Sequence, residues 1–161
     1  MHGEALVACA AWAVGEAGVD LVDATVDWEE LAGSGRDLVL HDALCPMTPA
    51  SFIADCLDLA RTTGRPVVGT RPVTDTVKAV ADGLVGSTLD RDDLVAVTSP
   101  LVVPAAVLAG LARRPSNDLA QAVADLAAAG QPVQTLVAPP EGRRVDTVDD
   151  VRLLEALTTA D

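Results

Sequence analysis

Four short apolar runs, residues 38–41, 66–70, 94–97 and 133–137, alternate with segments of helical period, and this alternation most narrows the folds open to the chain. Each run reads as a strand. Helices are expected over 4–17, 49–62, 105–112 and 118–129, with a last one opened by Thr147 and carrying Asp149 and Asp150 in its first turn, where the helix dipole favours acids. Thr48 reads as the N-cap of the second helix with Pro49 at its first position, while Gly64 and Gly130 read as stops. Residues 19–26 offer a further strand interrupted by Asp20 and Asp23, and 27–31 a short helical turn. Strand–helix alternation implies an α/β fold of three layers around a mostly parallel, Rossmann-like sheet. Between residues 72 and 91 the alternating segments flank Asp82-Gly83, the strongest short-range hairpin signal, so an arm is expected to project from that sheet. The last apolar run before the 105–112 helix is expected to close at Thr98-Ser99-Pro100.

A chain of 161 residues can enclose one core, and no linker or repeat divides it, so residues 1–161 read as one domain. Trp12, Trp28 and Phe52 are its only aromatic residues, which leaves Ala, Val and Leu to build that core. A formal charge of −13 repels polyphosphate backbones and anionic lipid. Nucleic acid and membrane surfaces are therefore not expected partners, and a small anionic ligand would need a local basic pocket. Cys9, Cys45 and Cys56 form no paired motif, which fits a reducing cytoplasm, and with only His2 and His41 a zinc site is not expected. Residues 5–15 imitate a signal peptide but lack a preceding basic residue, and the charge-free stretch 94–112 is cut by Pro100 and Pro104 into strand, turn and helix.

In open α/β sheets, ligands bind outside the C-terminal ends of the strands. By position alone that rule selects Asp42, at the end of the first strong strand, and the Thr98-Ser99 turn. Gly33-Ser34-Gly35 resembles a phosphate loop in composition, but it opens onto a strand rather than a helix and reads as a plain connection.

Four ordered motifs go further. HDALCP at 41–46, PVTDTVK at 72–78, STLDR at 87–91 and VTSP at 97–100 together resemble the methylerythritol-phosphate cytidylyltransferase family of the non-mevalonate isoprenoid pathway. The resemblance runs from residue 37 to the C-terminus. It implies a nucleotidyltransferase fold and, for Asp42, a role in holding nucleotide and a Mg2+ ion that comes with it. It implies that Asp42, Lys78 and Arg91 act in catalysis, and that Thr76, Arg91 and Ser99 bind substrate. It also implies that Arg144 binds nucleotide where the family has Lys, and that a homodimer forms through the arm 72–91, with a small phosphorylated ligand shared between chains.

Departures from the family pattern are equally specific. No strand with a glycine-rich loop, an Arg and then a Lys precedes residue 37, so the segment that grips the triphosphate is missing from this sequence. Cys45 replaces an Arg, Leu101 replaces a Gln, Ser99 stands where Thr is usual, and Glu141 is the nearest acid to the family's second metal-side Asp. The expectation is a divergent homologue that does not catalyse alone. The alternative is an active cytidylyltransferase completed by another segment or chain.

Overall fold

A computed structural model describes residues 1–22 and 25–159. In chain order the elements are α1 (Leu6–Glu16), α2 (Trp28–Gly33), β1 (Leu38–Leu40), α3 (Ala50–Thr63), β2 (Val67–Pro72), β3 (Val77–Ala81) and β4 (Leu84–Leu89). They continue with β5 (Val95–Val103), α4 (Ala105–Leu108), α5 (Leu119–Ala128), β6 (Gln134–Val137) and α6 (Val148–Thr158). The central sheet has the order β1-β5-β2-β6. β5 runs antiparallel to both β1 and β2, while β2 and β6 are parallel. Three of the four strands thus share one direction and β5 opposes them, so the sheet is mixed, and the C-terminal ends of β1, β2 and β6 lie along one edge.

Side-chain alternation along the strands sends successive residues to opposite faces, and the two faces have different covers. Val67, Val102 and Val39 meet α1 and α3 through Ala13, Val14, Phe52, Ile53 and Cys56. Val68, Leu101 and Leu40 meet α2, α4 and α5 through Trp28, Val107, Leu119 and Leu126. These are the three layers expected from the alternation. A satellite cluster of Met1, Val145 and Leu154, joined by Leu6, Leu44 and Met47, seats α6 at the end of the sheet.

Several boundaries differ from the sequence reading for identifiable reasons. β5 does not close at Thr98-Ser99-Pro100 but continues to Val103. Pro100 is tolerated because the register slips between Val68 and Gly69 on the neighbouring strand, and an irregularity of this kind can accept a residue without an N–H. Thr48 is not the side-chain cap of α3: its hydroxyl is buried and donates to the Cys45 carbonyl at 3.0 Å, closing the preceding turn, and Pro49 occupies the cap position. The helix expected over 105–112 is a single turn, because Gly110 and Leu111 bond back three residues to Val107 and Leu108 instead of four. Residues 19–22 and 25–26 are not strand; Asp23 and Ala24 of the same expected element lie outside the described residues. The remaining helices form as expected, with Asp118 capping α5 and a reciprocal Thr147–Asp150 capping box starting α6.

The arm is present. β3 and β4 form a separate two-stranded ribbon joined by Asp82-Gly83, both with positive φ, the mirror-image turn that matches strand twist. Every residue of β4 is exposed.

Gly69 lies at the register slip, where the backbones of β2 and β5 come closest. A β-carbon there would sit 2.5 Å from the Ser99 carbonyl oxygen and 3.2 Å from the Phe52 ring. Gly69→Ala is expected to destabilise the chain by about 1–3 kcal/mol or more, as forced overpacking does. Gly15→Ala, where nothing lies within 4 Å, should instead stabilise α1 by about 0.5–1 kcal/mol. Urea unfolding midpoints of the two variants check the contrast, and equal shifts would contradict it.

Candidate functional site

β1 delivers Asp42 to the C-terminal edge of the sheet, and β5 meets it there from the opposite direction. The Asp42 N–H donates to Ser99 Oγ at 2.8 Å, so the side chain of the buried Ser99 fixes the backbone just as the strand ends. The Asp42 carboxylate is held at both oxygens. Oδ1 accepts from the Leu44 N–H at 2.9 Å, the usual Asx closure of a turn, and Oδ2 accepts from Arg144 Nε at 3.0 Å. Arg144 also pairs with Asp146 through its terminal nitrogen, so one guanidinium bridges two acids.

Beneath this pair runs a buried polar chain. The Thr98 hydroxyl donates to the Gly142 carbonyl at 2.7 Å, leaving its oxygen to accept from the Cys45 thiol at 3.3 Å. Cys45, which replaces the Arg of the family pattern, is wholly buried, and its small side chain meets Thr98, which holds the 142 loop against β5. His41 is also inward-facing, with both ring nitrogens buried and without a hydrogen-bond partner. Burial lowers its pKa below the ordinary imidazole value, while the neighbouring Asp42 charge pulls the other way. Cys56, in the core under α3, has its thiol pushed up to about 12 by burial and then by Asp55, so it is a packing residue rather than a nucleophile.

The loop after β6 crosses the strand ends. Ala138 N–H donates to the Thr70 carbonyl at 2.8 Å, Thr98 holds Gly142, Val145 N–H donates to the Leu44 carbonyl at 2.8 Å, and Arg144 reaches Asp42. Arg71, near the end of β2, donates from one terminal nitrogen to the carbonyls of Ala138 at 3.4 Å and Pro139 at 2.8 Å. Sequence reading did not select Arg71, although a charged residue at the C-terminal end of a buried strand carries a positional signal. It missed the Cys45–Thr98–Gly142 chain as well, because only the tertiary fold brings those residues together.

Of the expected site residues, Asp42, Ser99 and Arg144 come together. Thr76, Lys78 and Arg91 lie on the arm and make no hydrogen bond to them within the chain among the described residues. Lys78 donates to Thr88 across the ribbon, and Arg91 donates to the Thr74 carbonyl at 3.1 Å. Asp75, Thr76, Thr88, Leu89, Asp90 and Arg91 line an open groove of about 420 Å³ on the arm. Glu141 sits in the loop turn beside Gly142.

As a cation site, the cluster is incomplete. Among the described residues no three acidic, His or Cys side chains converge, and both Asp42 oxygens already have donors. Magnesium bound through one or two carboxylates depends on substrate phosphates for further ligands, and Arg144 would have to yield Asp42 to it.

The family described as 2-C-methyl-D-erythritol 4-phosphate cytidylyltransferase matches residues 20–159. The protein of that description from Nocardia farcinica is 38% identical over 122 residues, 74% of this chain and 52% of its own length. A bifunctional enzyme IspD/IspF from Clavibacter michiganensis is 34% identical over 132 residues, 81% of this chain and 32% of its own length. The chain therefore spans about half or less of these curated relatives. Among solved structures, the cytidylyltransferase from Thermus thermophilus superimposes with a TM-score of 0.61 at 22% identity, covering 88% of this chain and 74% of that one. A synthase from Anaerococcus prevotii gives a TM-score of 0.64 at 16% identity, covering 88% and 68%. At these identities the structural likeness is one of fold.

Because the His41 pKa is lower in the folded chain than the ordinary 6.5, the unfolded state binds the extra proton first as pH falls. Stability should therefore decline from about pH 6.5 downward until the folded pKa is passed. His41→Gln should flatten that part of the profile, as read from urea unfolding between pH 7 and 5. An unchanged slope in the variant would assign the decline to other groups.

Proposed function

The chain belongs to the 2-C-methyl-D-erythritol 4-phosphate cytidylyltransferase family, and from that membership we propose that these residues hold the substrate-phosphate side of the family's site without transferring a cytidylyl group by themselves. Transfer from CTP needs cations where charge builds on the phosphates. The observation that carries the reading is that Arg36 is the only Lys or Arg in residues 1–36, and it is paired with Asp20 on the surface at 2.6 Å. Each charge-stabilising group removed from such a site is worth about 3 kcal/mol of barrier, so two missing cations cost on the order of 10⁴ in rate.

What remains is suited to binding. Arg144 is half-exposed beside Asp42 and can turn to a phosphate, and Ser99 fixes the backbone on which Asp42 stands. When nucleotide and Mg2+ are bound, the metal would polarise phosphate oxygens, with Asp42 its ligand from this chain. The arm supplies the rest in the proposed assembly. Val80, Leu84 and Val85 are exposed on a ribbon of two strands, which is marginal in water without a covering surface. A second copy covers it, placing Thr76, Lys78 and Arg91 of one chain at the Asp42 pocket of the other. The cytoplasm is the proposed compartment, consistent with three free thiols.

The alternative, an active cytidylyltransferase of isoprenoid biosynthesis completed by a segment or partner outside these residues, is favoured by the family match extending over 20–159. A pyrophosphate-release assay with CTP, Mg2+ and methylerythritol phosphate separates the two. The isolated chain is expected to turn over at least about 10⁴ more slowly than the full-length Nocardia farcinica relative, yet to bind methylerythritol phosphate by calorimetry. Turnover comparable with that relative would overturn the first reading in favour of the second. Light scattering should give a dimer; a monomer at high concentration would remove the shared pocket.

A further inference from the structure

The loop from Ala138 to Val145 lies across the strand ends in the order β6, β2, β5, β1, and each crossing has its own fastener. Ala138 leaves β6, Arg71 of β2 takes the carbonyls of Ala138 and Pro139, Thr98 of β5 takes that of Gly142, and Asp42 after β1 takes Arg144. The fasteners differ in what could replace them. Pro139 and Pro140 have no N–H, so after the Ala138 N–H, which donates to the Thr70 carbonyl, the loop has no backbone donor before Glu141, and the carbonyls of Ala138 and Pro139 can be tied to the sheet only by donors from elsewhere. The Gly142 N–H meets the Pro139 carbonyl within the loop's own turn, which ties the turn to itself rather than to the sheet. Arg71 is the side chain that ties this start to β2. Two stiff prolines then carry the constraint to Gly142, whose own β-carbon position is crowded at 3.2 Å by Ala138.

We propose that Arg71 is a positioning residue for the anion site. By clamping the Ala138 and Pro139 carbonyls it sets the path of the loop and, through it, the direction from which Arg144 faces Asp42. Arg71 does not touch the reacting groups in this arrangement; it acts through the loop. The ligand class, a phosphate monoester engaged by Arg144, rests on the function proposed above. The clamp itself does not.

The test uses the 161-residue chain with Arg71→Met, Arg71→Leu and Arg71→Lys. In the wild type the Nε–H resonance of Arg144 is expected at a shifted, slowly exchanging position because of its ion pair with Asp42. In Arg71→Met it should move to the free-arginine position while circular dichroism and the unfolding midpoint of the sheet are retained. Arg71→Lys, which keeps a cationic donor on a flexible stem, should restore most of the shift. Should the Met variant fail to fold, Arg71→Leu, which also removes the donor, is read in the same way. Calorimetry with methylerythritol phosphate should show an affinity loss of about tenfold in Arg71→Met and at most about threefold in Arg71→Lys. An Arg144 resonance unchanged in a folded Met or Leu variant overturns the clamp. Absence of methylerythritol phosphate binding in the wild type overturns the proposed ligand instead, and the resonance still decides the role of Arg71.

Discussion

The close approach of β2 and β5 at Gly69 is the constraint on which the rest of the site depends. With no β-carbon at Gly69, the Ser99 carbonyl can lie within van der Waals range of the β2 backbone, and the register slips there by the residues that bring Thr98 and Ser99 to the sheet edge. Ser99 then reaches the Asp42 N–H and Thr98 reaches the Gly142 carbonyl, so one irregularity in strand pairing supplies both fasteners of the site's centre. A regular ladder would set these two polar side chains beside other residues of β2, because the slip is of two residues and so keeps their faces while changing their neighbours.

Electrostatics at the site is local. The chain carries a net charge of −13, yet Arg71, Arg143 and Arg144 gather at the C-terminal strand ends with Asp42, Asp146 and Asp150. Asp150 is held below the usual carboxylate range by its hydrogen bonds to Thr147, which commits it to starting α6 rather than to a ligand. Asp37 plays the matching structural part at the other end of β1. Its burial raises its pKa, but the Arg61 side chain and the Ala105 N–H outweigh this and hold the carboxyl low, tying β1 to α3 and α4. The acids near the sheet thus divide between those that fasten elements and Asp42, whose partner is a half-exposed and exchangeable guanidinium.

Much of this was legible in the residues. Asp82-Gly83 specified its turn because two consecutive positive φ values suit few other pairs, and Thr147 with Asp150 specified a helix start through a capping box within four residues. Asp42 and Ser99 were legible through the position of strand ends and through the family motifs, and Arg144 through the resemblance alone. Arg71 was not, since its one local signal, a charge at the C-terminal end of a strand, does not distinguish an arginine that clamps a distant loop from one that faces water.

The sequence by itself determined the alternation of strands and helices, the arm and its turn, and the short motifs around Asp42, because propensity, capping and turn chemistry act over a few residues. Only the tertiary structure decided that β5 runs on through Pro100, that it opposes its neighbours, that Thr48 closes a turn instead of capping a helix, and that Arg71, Thr98 and Asp42 fasten one loop. Apart from the Thr48 turn, where a hydroxyl chose a carbonyl three residues back over a helix N–H, those outcomes depend on which backbones approach one another across tens of residues, and for Thr98 and Ser99 the close approach is allowed by the space left at Gly69, which no local preference encodes.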